Sequence, residues 1–203
     1  EVLKSIKTMP IDLIGFVFAK SRRQVTPQQA RELVKEAPAS IGKVGVFVNP
    51  THEELDSILR KVPLTHLQLH GQETPSFCAE LSSRYPVKLI KALSVKSFAE
   101  LEREIFRYKG IVDAFLFDTY HPTQRGGTGM RFSWNLIPHI QGLIEETPYW
   151  VAGGLNPENV DELLRMYRPY GVDVSSGVET NGRKDIQKIV QFVEKVRRHD
   201  ATD

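Results

Sequence analysis

Residues 149–159 read YWVAGGLNPEN, and residues 171–179 read GVDVSSGVE. In each segment a short apolar run ends in small residues and then turns into the start of a helix. Because glycine lacks a Cβ, its backbone N–H can approach an anionic group that a larger residue would hold away. Two such turns at helix N-termini, side by side, predict a site for a phosphate dianion. A pocket built by the last two strand–helix loops is typical of a (β/α)8 barrel, so the sequence favours a barrel enzyme that acts on a phosphorylated small molecule.

The rest of the chain repeats the same unit of strand and helix. Seven short apolar runs predict strands: Ile14–Phe18, Val44–Asn49, His66–His70, Val87–Leu93, Ala114–Asp118, Trp150–Gly153 and Val172–Ser175. Most of them are continuously apolar, as in parallel strands that are covered on both faces. Between them, caps such as Thr26-Pro27 and Asn156-Pro157 introduce segments with helical spacing. The alternation predicts a parallel α/β protein, folded as one domain over residues 1–203.

A closed barrel needs eight strands, one more than the seven predicted here. Residues 1–7 have the character of the end of a helix, and in a barrel a strand would precede that helix. We therefore interpret the sequence as a (β/α)8 barrel that lacks its first strand and the start of its first helix, and we expect a further N-terminal piece of about 20 residues. The alternative is an open doubly wound sheet, which typically has a G-x-G-x-x-G loop after an early strand. The segment Gly15–Phe18 offers no such loop, which favours the barrel.

The composition is that of an ordinary globular protein, with 203 residues, 40% of them hydrophobic, and a formal net charge of +2. The basic pairs Arg22-Arg23 and Arg197-Arg198 are too short to form a track for nucleic acid. No apolar run reaches the length that crosses a membrane. The single cysteine, Cys78, forms no internal disulfide, as is typical of a reducing compartment. We therefore predict a cytoplasmic monomer or homodimer that binds neither nucleic acid nor a membrane.

Functional residues of parallel barrels lie at the carboxyl ends of the strands, where Asp118 and Arg23 are candidates. Asp118 follows four apolar residues, and partial desolvation raises the pKa of such a carboxyl so that it can donate a proton near neutral pH. The alternative for Asp118 is an aspartate that caps a loop. Arg23 can hold a carboxylate with two parallel hydrogen bonds. The alternative for Arg23 is a solvated surface arginine, which is what we expect of Arg22.

His70 and the segment around Gly127 are further candidates. His70 ends the third predicted strand, where it either lines the pocket or packs as a neutral ring. The glycine-rich segment RGGTG at 125–129, which includes Gly127, is either a loop that closes over a bound ligand or a flexible connector. His66 and His70 stand at i and i+4, but no third ligand lies between them, so we predict no metal site. Cys78 lies within a predicted helix, and we expect it to be buried.

In this order, and over nearly the whole chain, these segments resemble the phosphoribosylanthranilate isomerases of tryptophan biosynthesis. Each matching segment is weakly specific alone, but their joint order is strongly specific. The segments are GFVF at 15–18, SRRQVTP at 21–27, VGVFVN at 44–49, LQLHG at 67–71, DT at 118–119, GGTG at 126–129, FSW at 132–134, AGGLNPENV at 152–160 and VSSGVE at 174–179.

The resemblance implies a cofactor-free Amadori rearrangement. In it, N-(5-phosphoribosyl)anthranilate becomes 1-(2-carboxyphenylamino)-1-deoxyribulose 5-phosphate, an aldose–ketose isomerisation. Asp118 matches the general acid that protonates the ribose ring oxygen and opens the ring to a Schiff base. Arg23 matches the arginine that faces the anthranilate carboxylate. The turns at Gly153-Gly154 and Ser176-Gly177 match the phosphate cradle.

One part of the family pattern is missing from the sequence. The family's general base is a cysteine in a Lys-x-Cys-Gly run at the end of the first strand, and Cys78 cannot be aligned with it. The expected N-terminal piece would supply this base. Two alternatives remain: a phosphate-sugar-binding barrel that is catalytically impaired because the base is absent, and a related phosphate-binding barrel synthase. For the synthase, Lys88 and Lys91 are the candidate strand lysines.

Overall fold

A computed structural model of the protein describes residues 2–94, 97–118 and 134–200. The chain falls into two compact units. The first comprises residues 1–92 together with 110–113, and the second comprises residues 93–109 together with 114–203.

The first unit alternates helix and strand from its start. Its elements are α1 (Val2–Ile6), β1 (Leu13–Val17), α2 (Pro27–Glu36), β2 (Gly42–Phe47), α3 (His52–Leu59), β3 (His66–Leu69), α4 (Pro75–Arg84) and β4 (Lys88–Ser94), of which β4 extends past the unit. The helix predicted at the beginning of the chain is confirmed by α1. Each strand pairs in parallel with the next in sequence, β1 with β2, β2 with β3 and β3 with β4.

Threonine side chains cap the N-termini of α2, α3 and α4 in the first unit. The hydroxyl of Thr26 accepts a hydrogen bond from the backbone N–H of Gln29 at 3.2 Å, and the Gln29 side chain accepts one from the N–H of Thr26 at 2.8 Å. Thr51 and Glu54 form the same reciprocal pair at the start of α3. These capping boxes satisfy backbone donors that have no partner within the helix, and the cap predicted at Thr26-Pro27 is confirmed.

The second unit continues the alternation. Its elements are α5 (Phe98–Tyr108), β5 (Ala114–Asp118), a 3₁₀ turn (Trp134–Leu136), α6 (Ile137–Ile144), β6 (Tyr149–Val151), α7 (Val160–Tyr167), β7 (Gly171–Val172), a second 3₁₀ turn (Ser176–Val178), β8 (Glu179–Thr180), β9 (Arg183–Lys184) and α8 (Ile186–Asp200). β5 pairs in parallel with β6, and β6 with β7. Within each unit the strands follow one another in chain order, whereas a doubly wound sheet reverses its order.

The strand cores are apolar, as the continuous runs predict. In β5 the residues from Ala114 to Phe117 are all buried, and Phe115 and Phe117 are fully enclosed. In β3, Leu67 and Leu69 are fully enclosed as well. Burial on both faces of these strands agrees with a parallel sheet that is covered by helices.

The structure corrects the sequence prediction near the end of the chain. The strand predicted to reach Gly153 ends at Val151, because the backbone turns at Gly153, whose φ is +86°. The turn around Ser176 leads not directly into a long helix but into the short 3₁₀ turn and then the β8–β9 hairpin. That hairpin closes at Asn181 and Gly182, both with positive φ, and Asn-Gly is a common pair for such a turn.

Candidate active site

Asp118 is the last residue of β5, and it is half-buried. The register pairs Phe117 with Val151 of β6, and the backbone N–H of Ala152 donates a 2.9 Å hydrogen bond to the carbonyl of Phe117. One residue further along each strand, Asp118 therefore stands beside the segment that leads into Gly153. The structure brings the predicted acid to the same sheet edge as the first predicted glycine turn.

The first glycine turn has a backbone conformation that few other residues adopt. Gly153 and Gly154 have φ values of +86° and +65°, in the left-handed region. The carbonyl of Gly154 accepts a 2.9 Å hydrogen bond from the side-chain amide of Asn159, at the start of α7. Asn156 caps the turn that follows, because its side-chain oxygen accepts from the N–H groups of Glu158 and Asn159. The cap predicted at Asn156-Pro157 therefore lies on the turn before α7, whose own N-cap residue is Asn159.

The second glycine turn packs directly against the first. A Cβ added at Gly177 would collide with the carbonyl oxygen of Leu155 and stand 3.0 Å from Cα of Asn156. The loops that follow β6 and β7 are thus in backbone contact, as two turns that share one anion require. Lys184 supports the second turn, since its ammonium donates to the carbonyl of Ser175 at 2.7 Å and pairs with Glu179 at 3.1 Å.

Arg23 lies in a tight turn after β1, in the first unit. Its backbone N–H donates to the hydroxyl of Ser21 at 3.2 Å, and the side chain of Gln24 donates to the carbonyl of Phe18 at 2.9 Å. Arg23 is half-buried, while its neighbour Arg22 is exposed. The turn holds Arg23 at the carboxyl end of its strand, which agrees with the difference predicted between the two arginines.

His70 follows β3, so it lies at the same edge of the first unit as Arg23, where parallel strands end. Its backbone N–H donates to the carbonyl of Phe47 at 2.9 Å, which holds it beside the end of β2. The ring is half-buried, and its Nδ1 lies 3.5 Å from the side-chain nitrogen of the buried Gln68. His66, four residues earlier, bonds Thr65 through Nδ1 at 2.8 Å.

A buried ion pair lies beneath the turn at His70-Gly71. Lys91 of β4 is 1% exposed, and its ammonium donates to the carboxylate of Glu73 at 2.8 Å and to the carbonyls of Gly71 at 2.8 Å and Leu69 at 3.2 Å. The carboxylate of Glu73 also accepts from the backbone N–H groups of Asn49 and Gly71. Both the loop after β2 and the loop after β3 are therefore fastened to one buried charge pair.

Residues 1–195 match the family model described as N-(5'phosphoribosyl)anthranilate (PRA) isomerase. The chain belongs to this family. Its curated relatives include the N-(5'-phosphoribosyl)anthranilate isomerase of Brevibacillus brevis, 50% identical over 98% of this chain and 90% of the relative. The enzyme of the same name from Listeria monocytogenes is 47% identical over 90% of this chain and 86% of the relative.

Solved structures of phosphoribosylanthranilate isomerases superpose on the chain. The Thermotoga maritima enzyme is 37% identical, with a TM-score of 0.81 over 92% of this chain and 88% of its own. A second isomerase structure, in complex with reduced 1-(o-carboxyphenylamino)-1-deoxyribulose 5-phosphate, has a TM-score of 0.78 at 34% identity, over 92% of this chain and 88% of its own. The chain therefore has the (β/α)8-barrel fold of this family, and its function is that of an isomerase of tryptophan biosynthesis. The predicted fold class, family and enzyme class are confirmed.

The roles predicted for individual residues stay predictions. Gly127 lies outside the described residues. Asp118 and both glycine turns belong to the second unit, whereas Arg23 and His70 belong to the first. Among the described residues, no three histidine, cysteine or carboxylate side chains gather into a set that could hold a metal ion. Over the same ranges, no helix combines the length and the apolar character needed to cross a bilayer.

Cys78 lies within α4 and its side chain is buried, as predicted. It is fully enclosed, and burial raises the pKa of its thiol to about 11. A thiol with such a pKa is almost wholly protonated at neutral pH, so Cys78 is unsuited to abstract a proton. The burial of Cys78 thus agrees with the expectation that it is a packing residue.

Sequence reasoning missed three side chains that hold the site loops: Glu73, Lys184 and Asn159. A signal was present for Asn159, which follows the Gly153-Gly154 pair within a few residues and carries groups that can reach back to the loop backbone, whereas no spacing within its own segment marks Glu73. Lys91 was considered only as a synthase lysine, and its burial against Glu73 explains instead why a lysine interrupts the apolar run of β4. Lys184 had no local signal, because its contact with Ser175 depends on the β8–β9 hairpin.

Proposed function

We propose that this protein converts N-(5'-phosphoribosyl)anthranilate to 1-(2-carboxyphenylamino)-1-deoxyribulose 5-phosphate by an Amadori rearrangement without a cofactor. The observation that carries the proposal is the position of Asp118 beside two interlocked glycine turns in the second unit. A relative in complex with the reduced product supports a small phosphorylated ligand. We further propose that residues 1–203 form one domain and that the protein is cytoplasmic. The rearrangement requires neither a nucleic acid nor a membrane partner.

In the proposed reaction Asp118 is the general acid. Its proton passes to the ribose ring oxygen while the bond from that oxygen to C1 breaks, and the nitrogen lone pair forms the C1=N bond of the Schiff base. Transfer of the C2 proton to a general base then gives an enamine, which tautomerises to the ketone. Cys78 does not take the C2 proton, because its thiol is buried and protonated.

We propose that the backbone N–H groups of Gly153-Gly154 and Ser176-Gly177 bind the phosphate. Adjacent backbone donors in turns form concave sites for anions, and the contact between Gly177 and Leu155 supports their joint use. Arg23 then binds the anthranilate carboxylate through its planar guanidinium. We propose that His70 and Gly127 also take part in substrate binding. As to assembly, we propose a monomer or a homodimer, and a dimeric form is described for the Thermotoga maritima relative.

Asp118→Asn tests the acid directly. The amide has the shape of the carboxyl but cannot supply the proton, so turnover should disappear while the affinity for the reduced product stays within about tenfold. Asp113→Asn is the matched control, because it removes the same charge just before β5 and its oxygen can still accept from the N–H of Leu89. Lost affinity in Asp118→Asn would refute the assignment. Tight binding without turnover in the unaltered protein would favour the catalytically impaired barrel.

Arg23→Ala tests whether Arg23 binds the anthranilate carboxylate of the substrate and not its phosphate. Binding of ligands that carry anthranilate should weaken more than binding of ribose 5-phosphate, because only the former have the carboxylate. Arg22→Ala, which removes an exposed neighbouring charge, should change neither affinity by more than about twofold. Isothermal titration of both ligands measures the difference. Equal losses for the two ligands would show that Arg23 has a structural role instead.

A further inference from the structure

The side chain of Asn159 is buried, and both its oxygen and its nitrogen form hydrogen bonds with the backbone of the loop before it. It is 7% exposed. Its Oδ1 accepts a 2.9 Å hydrogen bond from the backbone N–H of Asn156, and its Nδ2 donates a 2.9 Å hydrogen bond to the carbonyl of Gly154. The carboxamide therefore spans the loop and joins the glycine turn to the helix that follows it.

Capping of the helix does not explain this arrangement. Asn159 immediately precedes α7, where an asparagine often bonds the first backbone N–H groups of the helix. Within the described chain, its side chain makes no such capping bond. Asn156 caps the turn before the helix, where its side-chain oxygen accepts from the backbone N–H groups of Glu158 and Asn159. The side chain of Asn159 points back along the chain instead, toward Gly154.

The bond to Gly154 fixes the orientation of a whole peptide group. A trans peptide is planar, with its C=O and N–H pointing in opposite directions. Holding the Gly154 carbonyl toward Asn159 therefore holds the N–H of Leu155 on the opposite side. Without this bond two consecutive glycines have many accessible backbone conformations, and ordering each residue costs about 1–2 kcal/mol.

The other hydrogen bond of Asn159 bears on the second turn. The carbonyl of Leu155 packs against Gly177 with no room for a Cβ. That carbonyl shares a planar peptide group with the N–H of Asn156, which donates to Oδ1 of Asn159, so a rotation of this peptide would break the bond and displace the turn at Ser176-Gly177. One carboxamide thus restrains both turns.

We propose that Asn159 is a positioning residue for phosphate binding. It holds the Gly153-Gly154 turn, and through Leu155 the Ser176-Gly177 turn, in the conformation that presents backbone N–H groups to the phosphate. The inference rests on the proposed function, since it takes these turns as the phosphate site. Asn159 itself touches no substrate atom in this scheme.

Asn159→Asp tests the proposal with Asn156→Asp as a control of equal charge. In Asn159→Asp one carboxylate oxygen can still accept from Asn156, but the other faces the Gly154 carbonyl and repels it. In Asn156→Asp the oxygen that accepts from Glu158 and Asn159 is kept. We expect Asn159→Asp to raise the Kd for inorganic phosphate and the KM for substrate at least tenfold, and Asn156→Asp to change both less than threefold. For Asn159→Asp, kcat should stay within about threefold.

Amide exchange shows whether the loop loosens while the fold stays intact. In Asn159→Ala the exchange of the Asn156 N–H, which donates to Oδ1 of Asn159, should accelerate, while the amides of β5 keep their protection. Asn159→Ala removes both hydrogen bonds without adding charge, so it carries the test if the aspartate variant does not fold. A lowered Tm with an unchanged Kd for phosphate would overturn the inference, and so would equal losses in the two aspartate variants.

The failure of this inference is distinguishable from the failure of the proposed function. If the unaltered protein binds phosphate and Asn159→Asp binds it equally well, only the positioning role is overturned. If the unaltered protein fails to bind inorganic phosphate or ribose 5-phosphate in competition with the reduced product, the phosphate site itself is wrong. The inference then falls with it.

Discussion

Replacing Lys91 with methionine should severely destabilise the protein. The two side chains have similar length, so the change removes the charge while leaving the core nearly filled. The carboxylate of Glu73, whose side chain is 2% exposed, then remains buried without its cation. Removing one partner of a buried ion pair costs about 3–5 kcal/mol of unfolding free energy. Because Glu73 keeps its bonds from the N–H groups of Asn49 and Gly71, we expect the lower part of that range, about 3–4 kcal/mol.

A double-mutant cycle separates the ion pair from general disruption of the core. Glu73→Gln keeps an oxygen that can accept from Asn49 and Gly71 but leaves the ammonium of Lys91 without a carboxylate. In the double variant no uncompensated charge remains. It should therefore be more stable than Lys91→Met by at least about 1 kcal/mol, since contacting residues couple by about 0.5–3 kcal/mol.

Urea unfolding followed by circular dichroism measures these free energies. Lys88→Met is the matched control, because Lys88 lies on the same strand but is exposed, and its replacement should change stability by less than about 0.5 kcal/mol. A loss below about 1 kcal/mol for Lys91→Met, which is the range of a surface pair, would refute the reasoning. Strict additivity in the double variant would refute it as well.

Two further predictions concern His66 and Gly177. Burial, with a smaller contribution from the charge of Lys88, lowers the pKa of His66, so its contribution to stability is complete above about pH 6.5 and is lost as the pH falls through the folded-state pKa. His66→Asn should therefore flatten the change in urea-unfolding free energy between about pH 5 and pH 7, and an unchanged slope would contradict this. Gly177→Ala should weaken binding of inorganic phosphate at least tenfold in titration calorimetry, because the new Cβ collides with Leu155. Gly142→Ala, where an added Cβ meets no described atom within 4 Å, should leave that affinity unchanged and would expose a general glycine effect if it did not.

The sequence was sufficient to predict the strands because their cores are continuously apolar. Ala114–Phe117 shows this most clearly, since a run of four buried residues bounded by polar ones has few other interpretations. The strand ends were less predictable. Ala152 looks like a continuation of β6, but the strand stops before it because the left-handed backbone at Gly153 breaks the pairing. The short hairpin was missed although Asn181-Gly182 is a recognised turn signal, because its two-residue strands are too short to give an alternating pattern.

The two glycine turns of the candidate site were predictable from the sequence. Glycines at 153, 154 and 177 are recognisable because the requirement is local: a left-handed φ or a close backbone approach. The side chains that support the loops were not predictable in this way, because their contacts depend on the tertiary fold. Glu73 holds its loop as half of an ion pair with Lys91, which lies eighteen residues later in the sequence. No spacing within either segment predicts that these two side chains are in contact.

In the two units, chemically different side chains bond the backbone of the loops that follow the strands. A loop at the end of a parallel strand has backbone groups without strand partners, and these must be bonded if the loop is to hold one conformation. In the first unit the buried ion pair of Lys91 and Glu73 bonds the loops after β2 and β3. Charged groups of this kind would also interact electrostatically with a charged ligand nearby. In the second unit the neutral carboxamide of Asn159 holds the first glycine turn, while Lys184, paired with Glu179, holds the second. A carboxylate at position 159 would oppose the phosphate, and an ammonium would bind the Gly154 carbonyl but could not accept from Asn156. A carboxamide is thus the side chain that can restrain this turn from both sides without adding charge, which is why we expect even the isosteric change to aspartate to be costly.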